Sequence, residues 1–188
     1  MRRDQLEHAI RTACQIIDAR EVIVIGSQAI LGSVDEMRLP AEATMSLEVD
    51  ILPIAADEDD TSRLADLIEG VAGEWSPFEE LHGYSIDGVS LVTAVLPPGW
   101  RDRLVKVEND NTTAPGGDPR FTGWCLEPHD LCVAKLVALR EKDTRFVEAL
   151  LGAEIVDAHL IAERLRLLGA THEAAAQRAL GWLTSREA

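Results

Sequence analysis

The sequence predicts an α+β fold: a mixed β-sheet flanked by helices, with a C-terminal helical part. Three observations carry this expectation. The runs Glu21–Ile25 and Met45–Pro53 are β-branched and largely apolar, as strands are. An amphipathic helical pattern precedes them, and from Glu127 onward the pattern is helical throughout. The 188 residues suit one ordinary domain with a helical appendage. We expect an α/β core over 1–125 and a helical region over 126–188 packed on it.

Taken in order, Leu6, Ala9, Ile10, Ala13, Ile16 and Ile17 recur at i, i+3, i+4, i+7 and define the first helix. Glu21–Ile25 is nearly all apolar, as a strand covered on both faces would be. Gly26-Ser27 ends it, and Gln28–Gly32 reads as a short helix with Ser27 placed to cap its first turn. Residues 33–43 are a polar loop containing Pro40, and Met45–Pro53 is the second strand. Asp57–Gly73 is a helix whose acidic opening suits its N-terminal dipole. Weaker strands are expected at Tyr84–Ile86, Leu91–Leu96 and Arg103–Val107, and residues 109–120 form a loop between strands. Pro128 suits a helix start, and three more helices follow near 143–152, 156–168 and 172–184, with Gly152 and Gly169 at their breaks.

Composition narrows the function. Hydrophobic residues make up 46%, enough for a packed core. With 33 Asp and Glu against 18 Lys and Arg, the formal net charge is −15. A protein that coats nucleic acid or anionic membrane by bulk charge is excluded, whereas a local basic site is not. No apolar run approaches the roughly 18 residues of a membrane span. The N-terminal stretch lacks the apolar segment of a signal peptide. Cys14, Cys125 and Cys132 form no CxxC pair, which suggests reduced buried thiols in a cytoplasmic protein.

Three groups of residues could carry chemistry. Gly26-Ser27 stands where a buried strand meets a helix; glycine permits close approach of a phosphate and the serine hydroxyl adds a donor. The plainer alternative is a turn with a capping serine. Glu48 and Asp50 stand two apart in a strand, so both carboxylates face one way. Such a pair suits Mg²⁺, a hard cation that relieves their repulsion, though a solvent-facing edge would show the same alternation. Lys135 lies within the apolar run Leu131–Leu139, followed by Arg140, Lys142 and Asp143, and positions 135, 139, 142 and 143 fall near one face of a continuing helix. A lysine there could hold a triphosphate as a point charge, or merely extend its stem along the apolar surface. His129 and Tyr84 are expected in capping and packing roles.

Together these segments resemble the nucleotidyltransferase superfold, the one containing polymerase beta-like enzymes. VIGSQAILG followed by MSLEVDILP resembles its Gly-Ser turn and acidic strand, and PHDLCVAKLVALREKD resembles the lysine helix of the AbiEii-type toxin branch and related nucleotidyltransferase-like proteins of unknown function. The resemblance implies a nucleotidyltransferase-like sheet and a Mg²⁺-dependent transfer of NMP from an NTP to an acceptor hydroxyl. Gly26, Ser27 and Lys135 would bind the nucleotide, Glu48 and Asp50 the metal, and Lys135 and Asp143 would act in catalysis. The toxin branch implies the tRNA 3′ end as acceptor and a cognate antitoxin as partner, with Trp100, Trp124 and Trp182 as candidate contacts. Two readings stay beside it: a small-molecule nucleotidyltransferase, and a non-catalytic relative acting through protein contacts. Glu48 stands where Asp is more usual. The loop from Ser27 to Glu48 is long. The strand expected at Leu91–Leu96 offers no acid as a third ligand. If Arg101, Arg103 and Lys106 joined the cluster from Lys135 to Arg145, one positive mouth would sit on an acidic body.

Overall fold

The computed structural model describes residues 1–186; of the helical region expected to end at 188, residues 187 and 188 lie outside those described. The elements are α1 (Arg3–Ile16), β1 (Glu21–Val24), α2 (Ala41–Thr44), β2 (Glu48–Pro53), α3 (Glu58–Ala72), α4 (Pro77–His82), β3 (Ser85–Gly88), β4 (Val105–Val107), β5 (Thr122–Cys125), α5 (Pro128–Ala138), α6 (Glu141–Gly152), α7 (Ala158–Arg166) and α8 (Glu173–Thr184). Short 3₁₀ turns fill several connections, the most consequential being Ser27–Gly32 directly after β1.

The five strands form one mixed sheet in the order β3-β2-β1-β5-β4. β1 runs antiparallel to β2 and parallel to β5, β2 runs parallel to β3, and β4 runs antiparallel to β5. The α+β class and the mixed sheet flanked by helices agree with the sequence reading. Strand β1 is central and buried over Val22–Val24 because it is covered on both faces. Helices α1 and α3 pack on the sheet and on each other. The Ser27–Gly32 turn packs between the sheet and α5, and α5 gathers α6, α7 and α8. One apolar cluster runs from Met1 to Leu183, so the helical part shares a core with the sheet.

Local signals explain most boundaries. Asp57 caps α3 by accepting from the Asp60 N–H at 2.9 Å, so the acidic opening begins with the cap itself. Ser76 caps α4, Pro77 occupies its first turn, and Gly83 ends it at φ 73°. Glu127 accepts from the His129 and Asp130 N–H groups at 3.1 and 3.3 Å and starts α5, again with proline just inside. Among the described residues no helix is long and apolar enough to cross a membrane. The three cysteines are buried and unpaired.

Four expectations are corrected. Leu91–Leu96 is no strand: Leu91–Thr93 is a 3₁₀ turn, and the segment is half-buried or exposed. Its apolar residues rest on the core edge and then meet Pro97-Pro98. Strand β5 was not expected, yet it pairs with β1 near the middle of the sheet. Ser27 does not cap the turn after β1; Gly26 holds the capping position and no side chain bonds there. The lysine helix does not continue through Asp143, because Leu139 turns to φ 52° and ends α5.

Candidate active site

The Gly-Ser turn and the acidic strand meet directly. The Ile25 N–H donates to the Asp50 carbonyl at 3.1 Å, which sets the end of β1 beside the middle of β2. A Cβ on Gly26 would fall 1.5 Å from Asp50 Oδ2, so the carboxylate rests against the bare α-carbon. Only glycine leaves that space. Ser27 follows, half-buried, with its hydroxyl free of any capping bond.

Along β2, Val49 and Ile51 are fully buried while Glu48 and Asp50 are half-buried, so the two carboxylates share the other face. Burial, then the charges of Glu48 and Asp87, push the Asp50 carboxyl up from 3.8 to about 6. Asp87 is the acid the sequence did not reveal. Strand β3 runs parallel beside β2 with Asp50 opposite Asp87 and Glu48 opposite Ser85. The Ser85 hydroxyl donates to Asp87 Oδ1 at 3.0 Å. Burial, with Glu48 close by, raises the Asp87 carboxyl as well, against the lowering effect of Ser85. A third carboxylate thus stands beside the pair, on the strand before Leu91–Leu96, without closing a three-acid metal group among the described residues. The sequence reading ended that strand at Ile86, one residue short of Asp87; the polar-apolar-polar alternation Ser85-Ile86-Asp87 was the signal available.

Lys135 and Asp143 come together from two successive helices. The break at Leu139 folds α6 back on α5 and brings Lys135 Nζ to 3.3 Å from Asp143 Oδ1 and 4.7 Å from the Phe146 ring centroid. Lys135 is 9% exposed and Asp143 is 0% exposed. Burial lowers the Lys135 ammonium and Asp143 opposes that. Burial alone would raise Asp143, but Arg140, bonded through Nε at 2.6 Å, and Lys135 hold it below the usual carboxylate range. The fully buried Asp143 thus grips Lys135 from behind and lines no open surface.

A cavity of about 880 Å³ opens between the start of β2 and α6, lined by Ser27, Glu48, Lys135, Lys142, Arg145 and Phe146 among others. That volume accommodates a nucleotide-sized ligand. Its lining mixes the hydroxyls of Ser27 and Ser46, four acids (Glu42, Glu48, Glu141 and Glu148), three bases (Lys135, Lys142 and Arg145) and the apolar ring of Phe146. Lys142 reaches across to Glu48, Nζ to Oε1 3.7 Å, and Arg145 pairs with Glu141 in its own helix at 2.5 Å. Among the described residues no group of three or more His, Cys, Asp or Glu stands ready as a metal cage. The donor set is nonetheless all hard oxygen, and burial first, then the neighbouring carboxylates, raises the Asp50 and Asp87 carboxyls. Such a set fits Mg²⁺, which takes one or two carboxylates and completes its shell with water and substrate phosphate.

The second basic group does not join this mouth. Arg103 forks onto the buried Asp130 with Nε at 2.8 Å, Lys106 pairs with Glu108 at 3.0 Å, and Arg101 lines a smaller cavity beside Ile23 and Leu52. His129 is structural: Nε2 accepts from the Asp157 N–H at 3.0 Å, so Nδ1 carries the proton toward Glu127, 2.5 Å away. Burial would raise Glu127, but His129 and Arg164 bring it down to about 2. Tyr84 is buried, with its hydroxyl 2.7 Å from His8 Nδ1. Trp100, Trp124 and Trp182 pack partly against the core, and the outward-facing tryptophan is Trp75 at 88% exposure.

A sequence model of the family described as "Nucleotidyltransferase of unknown function (DUF6036)" matches residues 4–178. No curated protein and no solved structure matches the chain.

Proposed function

We propose that this chain, which belongs to that family of nucleotidyltransferases of unknown function, moves a nucleoside monophosphate from an NTP to an acceptor hydroxyl with Mg²⁺. One observation carries the reading furthest: the Asp50 carboxylate lies against Gly26, so a phosphate-binding turn and an acidic strand form one site. Glu48 and Asp50 would hold the ion, which when bound would neutralise the carboxylates and polarise the phosphates. The chain's own residues do the rest. The Ser27 hydroxyl donates to the outer phosphates from the cavity floor. Lys135, held by Asp143 in a largely dry position, places its ammonium where charge develops on the transferred phosphate. Asp143 acts through Lys135, since its own carboxylate is enclosed. Phe146 sets its ring face under the Lys135 ammonium, 4.7 Å from the centroid, and turns water away.

For the acceptor we take the tRNA 3′ end, with the protein acting as a toxin held by a cognate antitoxin; this rests on the resemblance of the lysine helix to the AbiEii-type branch. The case for a non-catalytic relative rests on a missing third carboxylate and on the acidic surface; Asp87, in register with Asp50, supports the catalytic reading against the first of these. Incubating the protein with labelled NTPs, Mg²⁺, total tRNA and a small-molecule extract separates the acceptors by the size of the labelled product. Label in tRNA is expected, with Asp50→Ala folding normally and transferring nothing. Retained transfer by Asp50→Ala defeats the site assignment, and label confined to small molecules defeats the tRNA assignment.

A further inference from the structure

Three cations line the cavity, and each already has a partner. Lys135 is locked to Asp143 inside the protein, and Arg145 is paired along its own helix to Glu141. Lys142 differs: its partner is Glu48, across the cavity on β2, one of the carboxylates assigned to the metal. The two atoms are 3.7 Å apart, beyond hydrogen-bond range, and the side chains are 65% and 43% exposed. This is a loose ion pair on a flexible four-carbon stem, open to exchange.

We propose that Lys142 serves as the stand-in counter-charge of the acidic strand when the site is empty, and passes to the triphosphate once a divalent ion takes Glu48. The inference rests on the nucleotidyltransferase reading and deepens it. An ion bound by Glu48 sets a second positive charge beside the Lys142 ammonium and removes its reason to stay. Lys142 then swings within the cavity it already lines, toward the space left for phosphates. Without the ion, Glu48 keeps the lysine, and an entering triphosphate meets the Glu48 side of the cavity with one cation fewer. Metal and nucleotide therefore assist each other through one side chain, and the coupling is reciprocal. Lys142 is a positioning and binding residue here; it is not assigned to the chemical step.

The test is a double-mutant cycle without metal. Inorganic tripolyphosphate is titrated by calorimetry in EDTA against the wild type, Glu48→Gln, Lys142→Met and the double variant. Both positions are solvent-facing, so all four proteins are expected to fold. Freeing Lys142 with Glu48→Gln should tighten tripolyphosphate binding about tenfold, and that gain should fall below about threefold when Lys142 is already methionine. Mn²⁺ alone should bind Lys142→Met about tenfold more tightly than it binds the wild type. An equal gain from Glu48→Gln in both backgrounds would mean plain charge removal and overturns the proposal, as does unchanged Mn²⁺ affinity. Absence of tripolyphosphate binding by Glu48→Gln overturns it too. Binding of Mg-NTP by the wild type, measured alongside, keeps the two readings apart: if it binds, only the role of Lys142 has failed; if it does not, the nucleotidyltransferase reading has failed with it.

Discussion

Asp50 concentrates the physics of the site in one carboxyl. Unfolded, it releases its proton near 3.8; folded, burial followed by Glu48 and Asp87 delays release to about 6. Between those values the native state binds more protons than the unfolded state, so stability falls as pH rises from about 4 to about 6 and levels off above. The shift corresponds to about 3 kcal/mol at most, and the half-open side chain brings it to about 1–2 kcal/mol. Asp50→Asn should therefore raise the unfolding free energy by about 1–2 kcal/mol at pH 7.5 without metal and leave it unchanged near pH 4. Urea unfolding at the two pH values checks this; a gain equal at both would remove ionisation as its cause. The same pattern marks what was legible. Glu48, Asp50 and Ser27 could be read because their spacing alone states their relation: i and i+2 on a strand, a hydroxyl after a glycine. Asp87 could not, because its relation to Asp50 exists only through strand pairing, which carries no local mark in the chain.

Among the elements, those with internal periodicity were readable and those defined by their neighbours were not. Helix α1 announces itself by its apolar stripe and α5 by its proline. Strand β5, Thr-Gly-Trp-Cys, has no alternation to announce it; Gly123 is bare because a Cβ there would meet Ile10 Cδ1 at 2.3 Å, under α1. The break at Leu139 lacks the glycine or proline that usually signals one, so Lys135 and Asp143 seemed to share a helix when they face each other from two. The turn after β1 is the element on which the site depends most. Gly26→Ala would drive a methyl into the Asp50 carboxylate. Either β2 shifts or the carboxylate leaves, so a loss of about 1–3 kcal/mol in stability is expected. Transfer should fall as far as it does in Asp50→Ala. A Gly26→Ala protein with wild-type melting and wild-type transfer would show that the turn and the strand are not in contact.

At the scale of the whole molecule, the net charge of −15 is unevenly spread. Glu58–His82, spanning α3 and α4, holds eight acids against the single Arg63. The cavity gathers Lys135, Lys142 and Arg145 beside four acids, Glu42, Glu48, Glu141 and Glu148, while Arg101, Arg103 and Lys106 are engaged elsewhere. An acidic body with three cations gathered at one cavity cannot follow a long stretch of nucleic-acid backbone. It can take only an end, which is the form in which a tRNA acceptor would arrive. With Lys135 and Lys142 engaged by the nucleotide, Arg145 is the cavity cation left to neutralise an acceptor phosphate. Single-stranded RNA contributes about −0.7 to the slope of log K against log salt for each phosphate neutralised, so acceptor binding should show a slope of about −1. Fluorescence anisotropy of a labelled tRNA acceptor stem between 50 and 200 mM salt, ranges of about this size being where such slopes are read, measures it directly. A slope steeper than about −5 would require an extended basic track that the folded chain does not offer, and would move the acceptor contact away from the cavity altogether.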